Sequence, residues 1–213
     1  MKKISVLIAD DHEVVRQGIH KSLEDTTDIS VDGETGDGSE ALDMAIHGTF
    51  DVVILDISMP GPGGIEIVKE LTQRKPDLPI LVLSMHPAKQ YAVRTIRAGA
   101  AGYLTKETLS PEIVTAVRTI ASGQRFVTST VAEQLASAVA NGCPDRSALA
   151  QLSDREYQVL CMIGAGKTLK EIATELTLSP KTVSTYRARI LEKTGLETTA
   201  DLVRYAVTEG LVS

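Results

Sequence analysis

Four short apolar runs each deliver a polar group to their ends, and this constrains the fold more than any other feature. Residues 4–9 run into Asp10-Asp11, residues 51–55 into Asp56, residues 80–83 into Ser84, and residues 101–105 into Lys106. Apolar runs of this length, alternating with helical patterns, require a parallel sheet covered on both faces. Parallel crossovers are right-handed, so the strand ends share one edge. In open sheets of this kind ligands bind at that edge. Three carboxylates, a hydroxyl and an ammonium therefore converge on one point, a site for a divalent cation and a phosphoryl group.

The pattern predicts strands near 4–9, 29–34, 51–56, 79–84 and 101–105. Helices are expected near 13–24, 39–47, 63–74, 88–98 and 110–121. Ser39 is placed to cap the second helix, and Ser110-Pro111-Glu112 to open the fifth. Gly99 and Gly123 close the fourth and fifth. Residues 123–149 read as a linker with one short helix of small residues near 131–140, broken by Asn141-Gly142-Cys143-Pro144-Asp145. The remainder, 150–213, is helical throughout. Ser153-Asp154-Arg155-Glu156 and Thr168-Leu169-Lys170-Glu171 are capping boxes. Ser179-Pro180 opens a helix that Gly195 stops, and Thr199 is placed to cap a last one.

Two domains suit 213 residues. No apolar run approaches the length of a membrane span, and the start does not resemble a signal peptide. Cys143 and Cys161 lack metal-ligand spacing and suggest a reducing cytoplasm, with Cys161 packed on an apolar helix face. The net charge of −6 is unevenly spread. Residues 1–125 carry 18 acids and 13 bases, whereas 150–213 carry eight of each. Lys181, Arg187, Arg189 and Lys193 form a compact basic patch in the half that is free of acid excess, so the overall sign does not exclude nucleic acid.

Asp56 is the candidate nucleophile, since carboxylates accept phosphoryl groups. Asp10, Asp11 and Asp56 suit Mg2+, which takes oxygen ligands and few protein carboxylates. Without a cation three acids repel one another. Lys106 offsets the phosphate charge, and Ser84 offers it a hydrogen bond. Taken singly these groups have plainer readings: Asp10-Asp11 as a helix cap, Lys106 as a surface lysine, Tyr103 as a core aromatic.

Residues 1–122 resemble the receiver domain of two-component response regulators, on Asp10-Asp11, on Asp56 within Leu55-Asp56-Ile57-Ser58-Met59-Pro60-Gly61, and on Ser84, Tyr103 and Lys106. The resemblance implies a flavodoxin-like doubly wound five-stranded parallel sheet of order 2-1-3-4-5. It implies a histidine kinase as donor and Asp56 as acceptor. Asp11, Asp56 and the Ser58 backbone carbonyl would bind Mg2+, with Asp10 beside them. Ser84 and Tyr103 would form a switch pair, the hydroxyl moving to phosphate and the ring turning inward. The chain departs from the pattern at Glu107, where many receivers carry a cis proline. His86 stands where family members tune phosphate lifetime.

Residues 171–194 read as helix–turn–helix. Val183, Ile190 and Tyr186 fall on the inner side of the second helix. Lys181, Ser184, Thr185 and Ala188 share one outer face, suited to a major groove. Arg187 and Arg189 flank it, placed for phosphates. The plainer reading is a surface helix with solubilising charges. Leu152-Ser153-Asp154-Arg155-Glu156, Lys170-Glu171-Ile172-Ala173 and Lys181-Thr182-Val183-Ser184-Thr185-Tyr186 make residues 150–213 similar to the small all-α LuxR-type DNA-binding domain of NarL/FixJ regulators. The recognition helix is most similar to regulators of the BvgA and EvgA kind. Thr182 joins the DNA-binding set on that similarity.

The expectation is a cytoplasmic transcription regulator, not an enzyme, that binds double-stranded DNA as a phosphorylation-promoted homodimer. RNA polymerase is a candidate partner, and no membrane is involved. An aspartyl phosphatase is the enzymatic rival, but it needs a second acid two residues after the nucleophile, where Ser58 stands. A relic receiver is the other, opposed by the complete acid set with Ser84 and Lys106.

Overall fold

The computed structural model describes residues 3–59, 62–85, 88–106, 109–140 and 148–212. The chain divides into two compact units, 1–136 and 137–213. The first alternates strands and helices: β1 (Ile4–Ala9), α1 (Glu13–Glu24), β2 (Ile29–Thr35), α2 (Gly38–His47), β3 (Val52–Asp56) and α3 (Gly64–Arg74). β4 (Ile80–Ser84), α4 (Ala88–Ala98), β5 (Gly102–Thr105) and α5 (Leu109–Ala121) complete the predicted set. These strands pair in parallel, in the order β2-β1-β3-β4-β5. Neighbouring strand residues face opposite sides. Val6, Ile8, Ile54 and Leu83 pack with Ile19 of α1 and Ile113 of α5, all at most 1% exposed. Each such burial stabilises by about 1.5–3 kcal/mol, and together they hold the strand ends in register.

The sixth strand corrects the sequence reading. β6 (Phe126–Val127) lies within the segment expected to be linker and pairs Gly102 with Phe126 and Tyr103 with Val127. Two residues carry no readable alternation, so only the free edge of β5 reveals the strand. Gly102 permits the approach: a Cβ there would meet the Phe126 carbonyl oxygen at 2.9 Å. α6 (Ser129–Ala140) follows, slightly longer than expected.

Three caps also differ. Asp37, not Ser39, caps α2, accepting from the Ser39 and Glu40 amides. Thr198, not Thr199, caps the last helix, in a capping box with Asp201. α5 starts at Leu109, so Ser110 and Pro111 sit inside its first turn. Proline is tolerated there because the amide it lacks has no intrahelical partner.

The second unit is helical: α7 (Ala148–Gln151), α8 (Asp154–Gly164), α9 (Leu169–Glu175), α10 (Pro180–Thr194) and α11 (Thr199–Thr208). The short α7 was not expected. The boxes at Ser153 and Thr168 form as read, and Ser179 caps α10. α10 and α11 both pack on α8 around Leu160, Val183, Ile190 and Leu202, none of them exposed. A Cβ on Gly164 would lie 2.5 Å from that of Ala206, so this glycine sets the α8–α11 approach. Cys161 is buried at 3% exposure, the packing role expected of it. Cys143, His86 and the Lys106-Glu107 bond lie outside the described residues.

Candidate functional site

The strand ends meet as the fold requires. β1 and β3 are neighbours, as are β3 and β4, and β4 and β5. Asp10, Asp56 and Ser84 are fully buried at these ends. Asp11 faces solvent. Lys106 reaches in with a side chain only 4% exposed, its Nζ 2.7 Å from Asp56 Oδ2 and 2.6 Å from Asp10 Oδ2. Its amide donates to the Ser84 carbonyl at 2.9 Å, so the backbone aims the side chain.

The remaining carboxylate oxygens are also held. Asp56 Oδ1 accepts from the Ser58 amide at 2.8 Å, and Asp10 Oδ1 from the His12 amide at 2.8 Å. Arg16 of α1 donates to the Asp10 carbonyl at 2.6 Å. One ligand atom from each of Asp10, Asp11, His12 and Asp56 lies within 4.8 Å of the others. His12 was missed in the sequence, although its place directly after the acid pair was visible; its Nδ1 lies 2.8 Å from Asp11 Oδ1.

Burial pushes the Asp56 carboxyl above its ordinary pKa, because a buried charge loses hydration. Asp10 adds to this, while Lys106 and the Ser58 amide oppose it. For Lys106 burial acts downward, but the charge of Asp56 and the bonds to Asp10 and Asp56 win and hold the ammonium above its usual value. A cluster in which acids outnumber the base calls for further positive charge. Carboxylate oxygens are the donor chemistry of a hard divalent cation, so the residues present fit Mg2+.

Tyr103 is fully buried and its phenol hydrogen-bonds Ser84. Burial pushes that phenol upward. The ring is therefore turned inward in this structure.

In the second unit Lys181, Ser184, Thr185, Ala188 and Arg189 are all exposed on α10, while Val183 and Ile190 are buried. Tyr186 is half-buried. Three expected positions differ in environment. Thr182 is partly buried, with its hydroxyl 2.8 Å from that of Ser179, and so completes the cap. Arg187 is half-buried: Nη1 donates to Thr199 Oγ1 at 3.2 Å, and its buried Nε has no partner among the described residues. Lys193 is exposed but engaged, donating to Glu156 Oε2 at 2.6 Å and to the Gln151 carbonyl at 3.1 Å. The basic patch thus narrows to Lys181 and Arg189.

Residues 6–118 match the response regulator receiver domain, and residues 150–206 match the LuxR family of bacterial regulatory proteins. The chain belongs to the NarL/FixJ response regulators. It is 39% identical to the response regulator UvrY of Escherichia coli K12 over 208 residues, covering 98% of this chain and 95% of that one. It is 38% identical to the response regulator GacA of Pseudomonas aeruginosa, covering 98% of each. Among solved structures, RcsB of Salmonella enterica serovar Typhimurium, bound to promoter rprA with the phosphomimetic BeF3−, superposes with a TM-score of 0.62. That pair is 29% identical, with 96% of this chain and 98% of RcsB covered. This response regulator therefore joins a receiver to a LuxR-type DNA-binding domain and regulates transcription. No helix among its described residues is long and apolar enough to cross a membrane.

Proposed function

We propose that Asp56 accepts a phosphoryl group from a histidine kinase and that this changes how α10 is presented to DNA. The observation that carries the reading is the Asp56 carboxylate, buried between Asp10, Lys106 and the Ser58 amide. A carboxylate oxygen attacks phosphorus as the bond from phosphorus to the donor imidazole nitrogen breaks. The imidazole leaves and takes a proton from water. Asp10, Asp11 and Asp56, with the Ser58 carbonyl, would hold Mg2+, which neutralises charge on the phosphoryl oxygens. Lys106 exchanges its contact with Asp56 for a phosphoryl oxygen, and the Ser84 hydroxyl donates to another. The Ser84–Tyr103 bond then links the phosphate to a buried ring. The phosphate shifts the equilibrium only as far as it binds one state better than the other.

The domain limits we propose are 1–122 for the receiver, 123–149 for a connection whose β6 adds an edge strand to the receiver sheet, and 150–213 for the DNA-binding domain. Lys181, Ser184, Thr185 and Ala188 face the groove, Arg189 holds phosphate, and Thr182 and Arg187 act through the shape of α10. The protein works in the cytoplasm as a phosphorylation-promoted homodimer on double-stranded DNA. It contacts RNA polymerase and catalyses no reaction beyond slow loss of its own phosphate. Dimers suit paired half-sites, since operator symmetry mirrors protein symmetry.

Intact mass after treatment with a small phosphodonor and Mg2+ tests the core of this. The wild-type chain gains about 80 Da, one phosphoryl group. Asp56→Asn gains nothing, and excess chelator abolishes the wild-type gain. An undiminished adduct in either case sinks the reading. Sedimentation with a stable phosphate mimic tests the dimer, and a monomer both on and off DNA refutes it.

A further inference from the structure

Thr185 lies in the middle of the exposed face of α10, yet its hydroxyl proton is already committed. Oγ1 donates to the Lys181 carbonyl, one turn back, at 3.0 Å. Side chains occupy staggered rotamers, so turning the oxygen back along the helix leaves the γ-methyl as the group that meets whatever covers this face. The oxygen retains lone pairs and has no donor to offer. Ala188, three residues on and also exposed, presents only a methyl. Residues at this spacing are neighbours on a helix surface. Two methyls therefore sit side by side between Lys181 on the N-terminal side and Glu192 on the C-terminal side. Glu192 is exposed on the next turn, and its carboxylate repels backbone phosphate, so the reading segment ends at Ala188.

In the major groove an apolar patch has one matching base feature. Guanine, adenine and cytosine present donors and acceptors there, and thymine alone presents a methyl group. We propose that Thr185 and Ala188 read the 5-methyl groups of thymines at one or two adjacent positions of each half-site. This rests on the reading that α10 enters the major groove. It adds which base the centre of the helix selects, and by which atoms.

Deoxyuridine removes that methyl and nothing else, so it is the probe. A duplex selected by the phosphorylated full-length protein from a randomised pool is resynthesised with each thymine in turn replaced by deoxyuridine. Binding of every duplex is measured by fluorescence anisotropy at one salt concentration. Replacement at one or two neighbouring positions should weaken wild-type binding about fourfold each, the weight of one buried methyl-sized group. Thr185→Val, which keeps a γ-methyl, should retain the full deoxyuridine effect. Thr185→Ser, which keeps the hydroxyl, should lose it at one position, and Ala188→Gly at the other. Both sites are exposed, and the glycine costs α10 about 1 kcal/mol of helix propensity, so each variant's thermal unfolding is measured alongside to show that it remains folded.

If the selected duplex is preferred over a scrambled one yet no replacement changes affinity, the methyl-reading proposal is wrong. It is equally wrong if Thr185→Ser and Ala188→Gly leave every deoxyuridine effect in place. If selected and scrambled duplexes bind alike, the groove reading itself falls, a result distinct from the other two.

Discussion

The Lys193 ammonium at the end of α10 sits 2.6 Å from the Glu156 carboxylate at the start of α8. Glu156 is buried, and the same oxygen accepts from the Ser153 amide at 2.8 Å. One acid thus closes the cap of α8 and anchors the last turn of α10. Burial works to raise the Glu156 pKa, but Lys193 and the Ser153 bonds outweigh it and hold the carboxyl below its ordinary 4.5. The stabilisation is therefore complete above about pH 4.5 and fades as pH falls through the lowered folded value. Glu156→Ala should destabilise the helical unit by about 2–3 kcal/mol, a lost cap plus a charged hydrogen bond. Hydrogen exchange of α8 and α10 amides in the full chain measures this, and unchanged protection would rule it out.

Lys193 and Arg189 should part company on DNA. Arg189→Ala is expected to lower the slope of log affinity against log salt by about one unit. Lys193→Met should weaken binding with the slope intact, because its ammonium is held by the Glu156 carboxylate and the Gln151 carbonyl. Titration of both variants at several salt concentrations decides the matter; equal slope changes would place Lys193 on phosphate after all.

Asp56 carries a stability signature as well as a chemical one. Its pKa is raised above 3.8 by burial first and by Asp10 next. The folded chain then binds more protons than the unfolded chain between that value and the raised one, so this group's contribution falls as pH rises through the window. Asp56→Asn should accordingly raise the melting temperature at neutral pH and flatten that limb. Melting curves between about pH 4 and about pH 8 test the sign. A lower melting temperature at neutral pH would reverse it.

His20 of α1 should titrate late. It is hydrogen-bonded first to Glu34 of β2 and then to Glu24, and these raise its pKa above 6.5. A raised histidine stabilises fully below its unfolded pKa and loses that contribution as pH rises through the folded value. The side chain is a third exposed, so the effect on stability is small. Its imidazole proton shifts, followed by NMR, should show a midpoint above 6.5 in the wild type and a lower one in Glu34→Gln. An unmoved midpoint would show the Glu34 bond to be inconsequential.

Thr177, in the turn between α9 and α10, has φ of 54°, a left-handed conformation unfavourable for a β-branched residue. The turn is closed by the Leu178 amide bonding the Ala173 carbonyl at 2.8 Å. Thr177→Asn should stabilise the unit by about 0.5–1 kcal/mol, since asparagine accepts this region more readily. Urea denaturation of the full chain reads the change, and a loss of stability would mean the threonine makes a compensating contact.

Much of this protein was legible residue by residue. Apolar runs of fixed length that end at Asp10, Asp56, Ser84 and Lys106 dictated a parallel sheet and one shared edge, because strand direction follows from crossover handedness. The boxes at Ser153 and Thr168 and the Ser179-Pro180 start marked helices from local hydrogen bonding alone. What required the tertiary structure were the partners of long side chains and of short segments. Phe126–Val127 is a strand only because β5 offers an open edge. Lys193 and Arg187 read as surface bases, yet folding turns one onto Glu156 and the other onto Thr199. A lysine or arginine stem reaches several ångströms past its own turn of helix, so helical spacing places its Cβ while neighbouring elements place its charge.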